Sequence, residues 1–213
     1  MVTEDTLEYT QSTKKDAILD TAENLFAEYG FAGTTTRKIA EKADVNIAMI
    51  SYYFGSKEKL LYAVLERFSE HLEAVFKDIN LHVESPVERI KNWIIAYTDY
   101  IFDNPNHARI VYRQVSLSRK QEDIAKLVSE FNKIRNIVVN ALNEGMENGV
   151  FNKVDAQLAI TTITAPVNAI VLEANVMKMR LGIKTPPGIL YTPEFRQRVK
   201  DHMVQVYEAL LLK

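Results

Sequence analysis

Apolar residues recur every three or four positions along most of the chain, which is the spacing of one buried face of an α-helix. Residues 1–12 are polar, and we expect them to form a flexible tail. Thr13, with Asp16 three positions later, is typical of a helix start, and Gly30 is typical of a helix end. The pattern between these signals predicts a first helix with one apolar face.

Two short helical segments follow, separated by only three residues. Thr35 is a natural N-cap for the first segment, which is predicted to end at Ala43. Asn46 is a natural N-cap for the second segment, predicted over 47–53. The positions expected to pack these segments together are apolar or small: Ile39, Ala40, Ala43, Val45 and Ile50. This arrangement is typical of a helix-turn-helix, whose second helix enters the major groove of DNA.

Longer helices are predicted for the rest of the chain. Their approximate ranges are 56–80, 86–101, 108–117, 122–148, 155–181 and 193–213. If the 155–181 helix bends, Pro166 is the expected place. With about nine helices and no convincing strand, the sequence predicts an all-α fold. We expect a helix-turn-helix domain over 13–56 and a larger helical domain over 57–213.

The amino-acid composition and the absence of certain motifs exclude several folds and kinds of chemistry. The chain has only 7 glycines and 6 prolines, too few for a fold built on many tight β-turns. It has no cysteine, which excludes disulfides, a thiol nucleophile and thiolate-ligated metals. Glycine-rich phosphate loops, the G-x-S-x-G motif and the Glu-x-x-His pattern are also absent. We therefore expect no metal, no cofactor and no enzymatic activity; a helical enzyme whose carboxylates meet only in the fold is the alternative.

Net charge and hydropathy indicate whether the chain is expected to bind nucleic acid or to enter a membrane. The net charge is −2, so any nucleic-acid surface must be local. Residues 33–59 carry five basic side chains against three acidic ones. The longest uncharged run, 156–172, is 17 residues long and contains several polar side chains. It is therefore too short and too polar for a typical membrane-spanning helix. We expect a cytoplasmic protein that does not bind membranes.

The N-terminal residues resemble the DNA-binding domain of TetR-family bacterial transcriptional regulators over about 13–65. The motifs that carry the resemblance are Ala22, Leu25-Phe26, Gly30-Phe31, Thr34-Thr35-Thr36, Ile39-Ala40, Ala43, Val45, Tyr52-Tyr53-Phe54 and Ser56-Lys57-Glu58-Lys59-Leu60-Leu61. The resemblance implies phosphate contacts from Thr35, Thr36, Arg37, Tyr52, Tyr53 and Lys57. It implies base contacts from Asn46, Ala48 and Met49.

The motif also departs from the family pattern. Asp44 stands where the family most often has glycine, and aspartate tolerates the left-handed conformation that this turn position needs. Ser51 stands at a position that is commonly tyrosine. Ile47 and Met49 are apolar where polar side chains are frequent. Base recognition is therefore expected to depend on thymine methyl groups and DNA shape.

The second domain offers candidates for binding a small-molecule effector. Trp93, Tyr97 and Tyr100 fall on one helix face, which fits either core packing or a pocket wall. The helix predicted after Asp155 carries a polar stripe whose members need hydrogen-bond partners. The candidates are Trp93, Tyr97, Tyr100, His107, Tyr112, Thr164 and Asn168. For Asn168 a structural hydrogen bond is favoured over a ligand contact, and for His107 a surface or capping role is favoured.

The resemblance implies how such a protein works. It implies a homodimer formed through the helices at about 155–181 and 193–213, bound to double-stranded DNA at a pseudo-palindromic operator. It also implies a repressor whose operator affinity changes when a small-molecule effector, of unknown identity, binds the C-terminal domain. A non-DNA-binding adaptor on the same fold is the further alternative.

Overall fold

A computed structural model describes residues 4–80, 83–117, 121–182 and 191–212. These residues contain ten α-helices, and their one β pairing is an isolated antiparallel bridge between Phe151 and Leu212. The helices are α1 (Glu4–Gly33), α2 (Thr36–Lys42), α3 (Ile47–Phe54), α4 (Lys57–Asn80), α5 (Pro86–Asp103), α6 (Pro105–Leu117), α7 (Gln121–Glu147), α8 (Ala156–Leu172), α9 (Ala174–Leu181) and α10 (Pro193–Leu211). The predicted all-α class is confirmed.

Two compact units make up the chain. The first contains Met1–Phe68 and Arg109–Leu127, and the second contains Ser69–Ala108 and Val128–Lys213. The division therefore falls inside α4, twelve residues after the boundary that we expected at residue 56. The physical reason is that Leu60, Val64 and Leu65 at the start of α4 are fully buried in the core of the first unit.

The first unit is built on α1, which begins at Glu4 rather than at Thr13. Residues 4–12 are helical and continuous with the predicted first helix, while residues 1–3 lie outside the described ranges; the flexibility expected for 1–12 stays a prediction. No glycine or proline interrupts this stretch, and extending a helix that has already formed costs little. The predicted end is confirmed, because Gly30 leaves helical geometry with φ 73° and ψ 171°.

An ion-pair network joins α4 to α1 within the first unit. The Arg67 guanidinium donates to Asp20 at 2.6 Å and to Glu23 at 2.7 Å. One planar cation thereby bridges two carboxylates that are three positions apart on α1. Beneath this network the two helices share apolar side chains that are almost fully buried: Ile18, Ala22, Leu25, Phe26, Leu60, Val64 and Leu65.

The second unit is organised around α5, which packs against α8 and α10. Its core is rich in aromatic rings, among them Trp93 on α5 and Tyr207 on α10. The Tyr207 hydroxyl donates to the carbonyl oxygen of Val87 at 3.1 Å, and Lys200 pairs with Asp99 at 3.0 Å. These polar links connect α10 to α5 around the apolar core.

The helix predicted over 155–181 is two helices, α8 and α9, bent by 90° at Glu173. The expected bend at Pro166 is wrong, since Pro166 lies inside α8. Next to the break, the Tyr191 hydroxyl donates to the carbonyl oxygen of Ile170 at 2.5 Å, the carbonyl to which Ala174 would donate in a continuous helix. This split raises the helix count from about nine to ten.

No single helix in the described ranges is both long enough and apolar enough to cross a membrane. Only α8 and α9 taken together pass that test, across their 90° bend.

Candidate nucleic-acid interface

The turn between α2 and α3 has the geometry that the sequence predicted. The amide of Val45 donates to the carbonyl of Ala40 at 3.0 Å and closes the turn. Asp44 adopts a left-handed conformation with φ 52°, as expected for an aspartate in the place of glycine. The side chain of Asn46 then caps α3 by accepting from the amide of Ala48 at 2.9 Å.

Helix α3 presents one face to the core of the first unit and another to solvent. Ile50 and Phe54 are buried and anchor the helix. Tyr52 is 75% exposed and Ile47 is 48% exposed, so both side chains face solvent. The predicted base-contacting residues Asn46 and Ala48 are also exposed, and Met49 is half-buried. These residues form a single outward surface at the start and middle of α3.

The remaining predicted phosphate contacts flank this surface. Thr35 caps α2 by accepting from the amide of Lys38 at 3.1 Å, so its hydroxyl oxygen has a structural role as well. Arg37 is exposed, and Thr36 is half-buried. At the end of α3 the Tyr52 and Tyr53 rings meet edge to face, with centroids 5.1 Å apart. Their DNA contacts stay predictions.

Lys57 has a structural role that its sequence position did not reveal. Its half-buried ammonium donates to the carbonyl oxygens of Phe31 and Thr34, each at 2.9 Å. It also lies 4.2 Å from the centre of the Phe31 ring. Two of its three N–H donors therefore hold α4 to the last turn of α1 and to the residue that follows it, and one donor remains for the phosphate contact that stays predicted.

Two further residues support the interface and were not predicted to do so. The Thr34 hydroxyl is fully buried and lies 2.8 Å from the carbonyl oxygen of Gly30 and 3.0 Å from that of Leu25. The Lys38 ammonium lies 3.3 Å from the centre of the Tyr29 ring. The contacts of Thr34 with Leu25 and of Lys38 with Tyr29 each span nine positions and carry no short-range sequence signal, although the buried Thr34 belongs to the threonine run that marks the motif.

Four of the predicted effector-binding residues meet in the second unit. The Trp93 and Tyr97 rings stack, with centroids 5.2 Å apart. The Asn168 amide donates to the Tyr97 hydroxyl at 2.7 Å and to the carbonyl of Thr164 at 2.9 Å. The Thr164 hydroxyl donates to the carbonyl oxygen of Ile160, one turn earlier in the same helix, at 3.0 Å. The hydrogen bonds of Asn168 support the structural role that we favoured for it.

The other three effector candidates are arranged differently. His107 is buried, and its Nδ1 lies 3.2 Å from the Tyr100 hydroxyl, so the expected surface position is wrong. Burial lowers the pKa of His107 to about 3, and the ring is therefore neutral at pH 7. Tyr112 belongs to the first unit and is 40% exposed, so the structure does not group it with the others.

Family models match both parts of the chain. Residues 18–64 match the model described as bacterial regulatory proteins, tetR family. Residues 83–172 match the model described as tetracyclin repressor-like, C-terminal domain. The first match contains the whole α2–turn–α3 element, and the second contains α5 and α8.

Named relatives agree with this assignment. The probable HTH-type transcriptional regulator YttP of Bacillus subtilis is 36% identical over 107 residues, which is 48% of this chain and 51% of that protein. The HTH-type transcriptional repressor KstR2 of Mycobacterium tuberculosis is 29% identical over 142 residues, or 66% of this chain and 70% of that one. The chain thus aligns with about half the length of YttP.

Solved structures share the fold over nearly the full length. The ketosteroid transcriptional regulator KstR2 of Mycobacterium tuberculosis superposes with a TM-score of 0.64 at 24% identity, covering 93% of this chain and 95% of that one. The fatty acid degradation regulator FadR of Bacillus halodurans superposes with a TM-score of 0.67 at 22% identity, covering 89% and 97%. The matches of residues 18–64 and 83–172 to the two family models, together with the capped α2–turn–α3 element, show that the chain belongs to the TetR family of bacterial regulatory proteins.

Proposed function

We propose that this protein is a homodimeric transcriptional repressor that binds a pseudo-palindromic operator and responds to a small-molecule effector. The observation that carries the proposal is the outward surface of α3, where Tyr52 and Ile47 are exposed although Ile50 and Phe54 fix the helix in the core. A helix held in this way is suited to enter a major groove. The names of YttP and KstR2 as HTH-type regulators support the same function.

An exposed apolar face on α8 supports the dimer. Leu158 is 66% exposed and Leu172 is 39% exposed. The positions between them that share this face are also exposed and uncharged: Thr162, Ala165 and Ala169. A second copy of the chain would bury this face in a two-fold interface, where each residue is used twice.

A charge on this face tests the dimer. In Leu158→Glu, the interface would bury two unpaired carboxylates, and we expect the dimer dissociation constant to rise at least about tenfold. Sedimentation velocity measures the change, and Leu158→Met is the matched apolar control. A dimer as stable in Leu158→Glu as in the control would remove α8 from the interface.

Selection from random duplexes tests operator binding. We expect an enriched pseudo-palindrome after several rounds, with half-site centres about 34–36 Å apart or a multiple of that distance. Affinity for the enriched sequence should fall steeply between about 50 and 200 mM salt, because phosphate contacts release counterions. No enrichment together with a flat salt response would refute the proposal.

A further inference from the structure

Two buried N–H donors on α5 have no hydrogen-bond acceptor among the described residues. They are Nε1 of Trp93, whose side chain is 4% exposed, and Nε of Arg89. The two residues are four positions apart, which places them on the same face of α5. A buried donor without an acceptor costs about 1–3 kcal/mol, so a pair of them on one face indicates a missing acceptor.

Both side chains line the same cavity in the second unit, which has a volume of about 150 Å³. Its other lining side chains are apolar: Val83, Ile90, Ile137, Val138 and Ala141. None of these offers an acceptor to the two donors. An apolar cavity of this size admits a molecule as large as benzene, so the space suits a small ring or a short branched chain.

The charge of Arg89 is already balanced. Its Nη2 lies 2.5 Å from the carboxylate of Glu144 on α7 and 3.4 Å from the backbone carbonyl of Glu84. An anion in the cavity would compete with Glu144 for the same guanidinium. An uncharged acceptor can accept hydrogen bonds from Trp93 Nε1 and Arg89 Nε without disturbing the ion pair between Arg89 and Glu144.

We propose that this cavity binds a small uncharged molecule with an apolar body and a carbonyl oxygen. The carbonyl oxygen has two lone pairs, so it accepts from both Trp93 Nε1 and Arg89 Nε, while the apolar body fills the space beside Ala141. The idea that such a molecule alters operator affinity rests on the function proposed above. Binding to the cavity does not depend on that function.

Fluorescence gives a direct readout, because Trp93 is the one tryptophan in the chain. Cyclohexanone is the probe, and methylenecyclohexane is the matched control, since it has the same shape with a CH₂ group in place of the oxygen. We expect saturable binding of cyclohexanone and binding of methylenecyclohexane at least about tenfold weaker. Equal affinities, or a cyclohexanone response that is linear without saturation, would overturn the proposal.

Variants locate the binding. Ala141→Leu fills the cavity and should abolish the saturable response, whereas Ala125→Leu makes the same change at an exposed position on the same helix and should keep it. Trp93→Phe keeps an aromatic ring and removes the N–H; it should lose the rise in melting temperature that cyclohexanone gives the wild type. An unchanged saturable fluorescence response in Ala141→Leu, together with an unchanged rise in melting temperature in Trp93→Phe, would place the ligand elsewhere.

Operator affinity is measured separately, with and without cyclohexanone. If the chain binds its operator but does not bind cyclohexanone, the cavity proposal fails and the proposed function stands. If cyclohexanone binds as predicted and no operator is found, the cavity proposal stands and the proposed function fails.

Discussion

Removing the ammonium of Lys57 is expected to destabilise the first unit even when no DNA is present. The ammonium donates to the carbonyls of Phe31 and Thr34 at 2.9 Å each. Hydrogen bonds to charged groups contribute about 1.5–3 kcal/mol apiece when buried. Because Lys57 is only half-buried, water replaces part of that energy, and we expect a loss of about 2 kcal/mol in the free energy of opening this unit.

Lys57→Met tests this estimate, because methionine keeps an apolar side chain and removes the donors. Hydrogen exchange is the suitable assay, since it measures each unit separately. A loss of about 2 kcal/mol corresponds to roughly 30-fold faster exchange of amides that open with the unit. We expect that acceleration in peptides from 25–34 and 57–65, and little change in peptides from α5 or α10.

Lys59→Met is the matched control, because Lys59 is exposed on the same turn of α4. We expect it to change opening by less than about 0.5 kcal/mol. Equal protection in the Lys57→Met and Lys59→Met variants would refute the structural role of Lys57. If Lys57→Met also lowers operator affinity and flattens the salt dependence by about one unit, its remaining donor contacts a phosphate.

Three further predictions follow from single side chains. Asp44→Asn keeps a residue that tolerates the left-handed turn and removes a negative charge beside α3. Affinity for any duplex should therefore rise roughly two- to fivefold at about 50 mM salt and less at about 200 mM salt. Glu147→Gln, at an exposed position, is the control, and equal affinities of the two variants would place Asp44 away from DNA. Met49→Ala should change base preference at one operator position in a repeat of the selection, whereas a uniform loss of affinity would argue against base contact. Folding lowers the pKa of His107 from 6.5 to about 3, so below pH 6.5 the unfolded chain binds more protons than the folded chain, and stability decreases as the pH decreases. Between pH 7 and pH 5 the wild type should therefore lose about 2 kcal/mol more stability than His107→Gln, measured by urea unfolding followed by Trp93 fluorescence. Equal losses in the two proteins would contradict the burial of His107.

The elements fixed by local chemistry could be predicted from the sequence. The caps at Thr35 and Asn46 depend on contacts within three residues, and both form as expected. The left-handed turn at Asp44 is local in the same sense. The helix-turn-helix geometry therefore followed from short segments of sequence.

The features that sequence reasoning missed depend on contacts between distant residues. The ammonium of Lys57 reaches carbonyls 23 and 26 positions earlier in the chain. The break at Glu173 lies beside a hydrogen bond between Tyr191 and Ile170, which spans 21 positions. His107 is buried by packing against Tyr100 and Phe131, which its polar neighbours in the sequence did not indicate. Periodicity predicts which face of a helix is buried, but not which polar groups meet there.

The central claim is that a dimer holds two α3 helices at a fixed spacing on DNA. The most direct test inserts five base pairs between the half-sites of the selected operator, which turns one half-site by about half a helical turn relative to the other. We predict that affinity falls to that of a duplex with a single half-site. Affinity that is unchanged by the insertion would contradict the account, because it would mean that the two half-sites are bound independently.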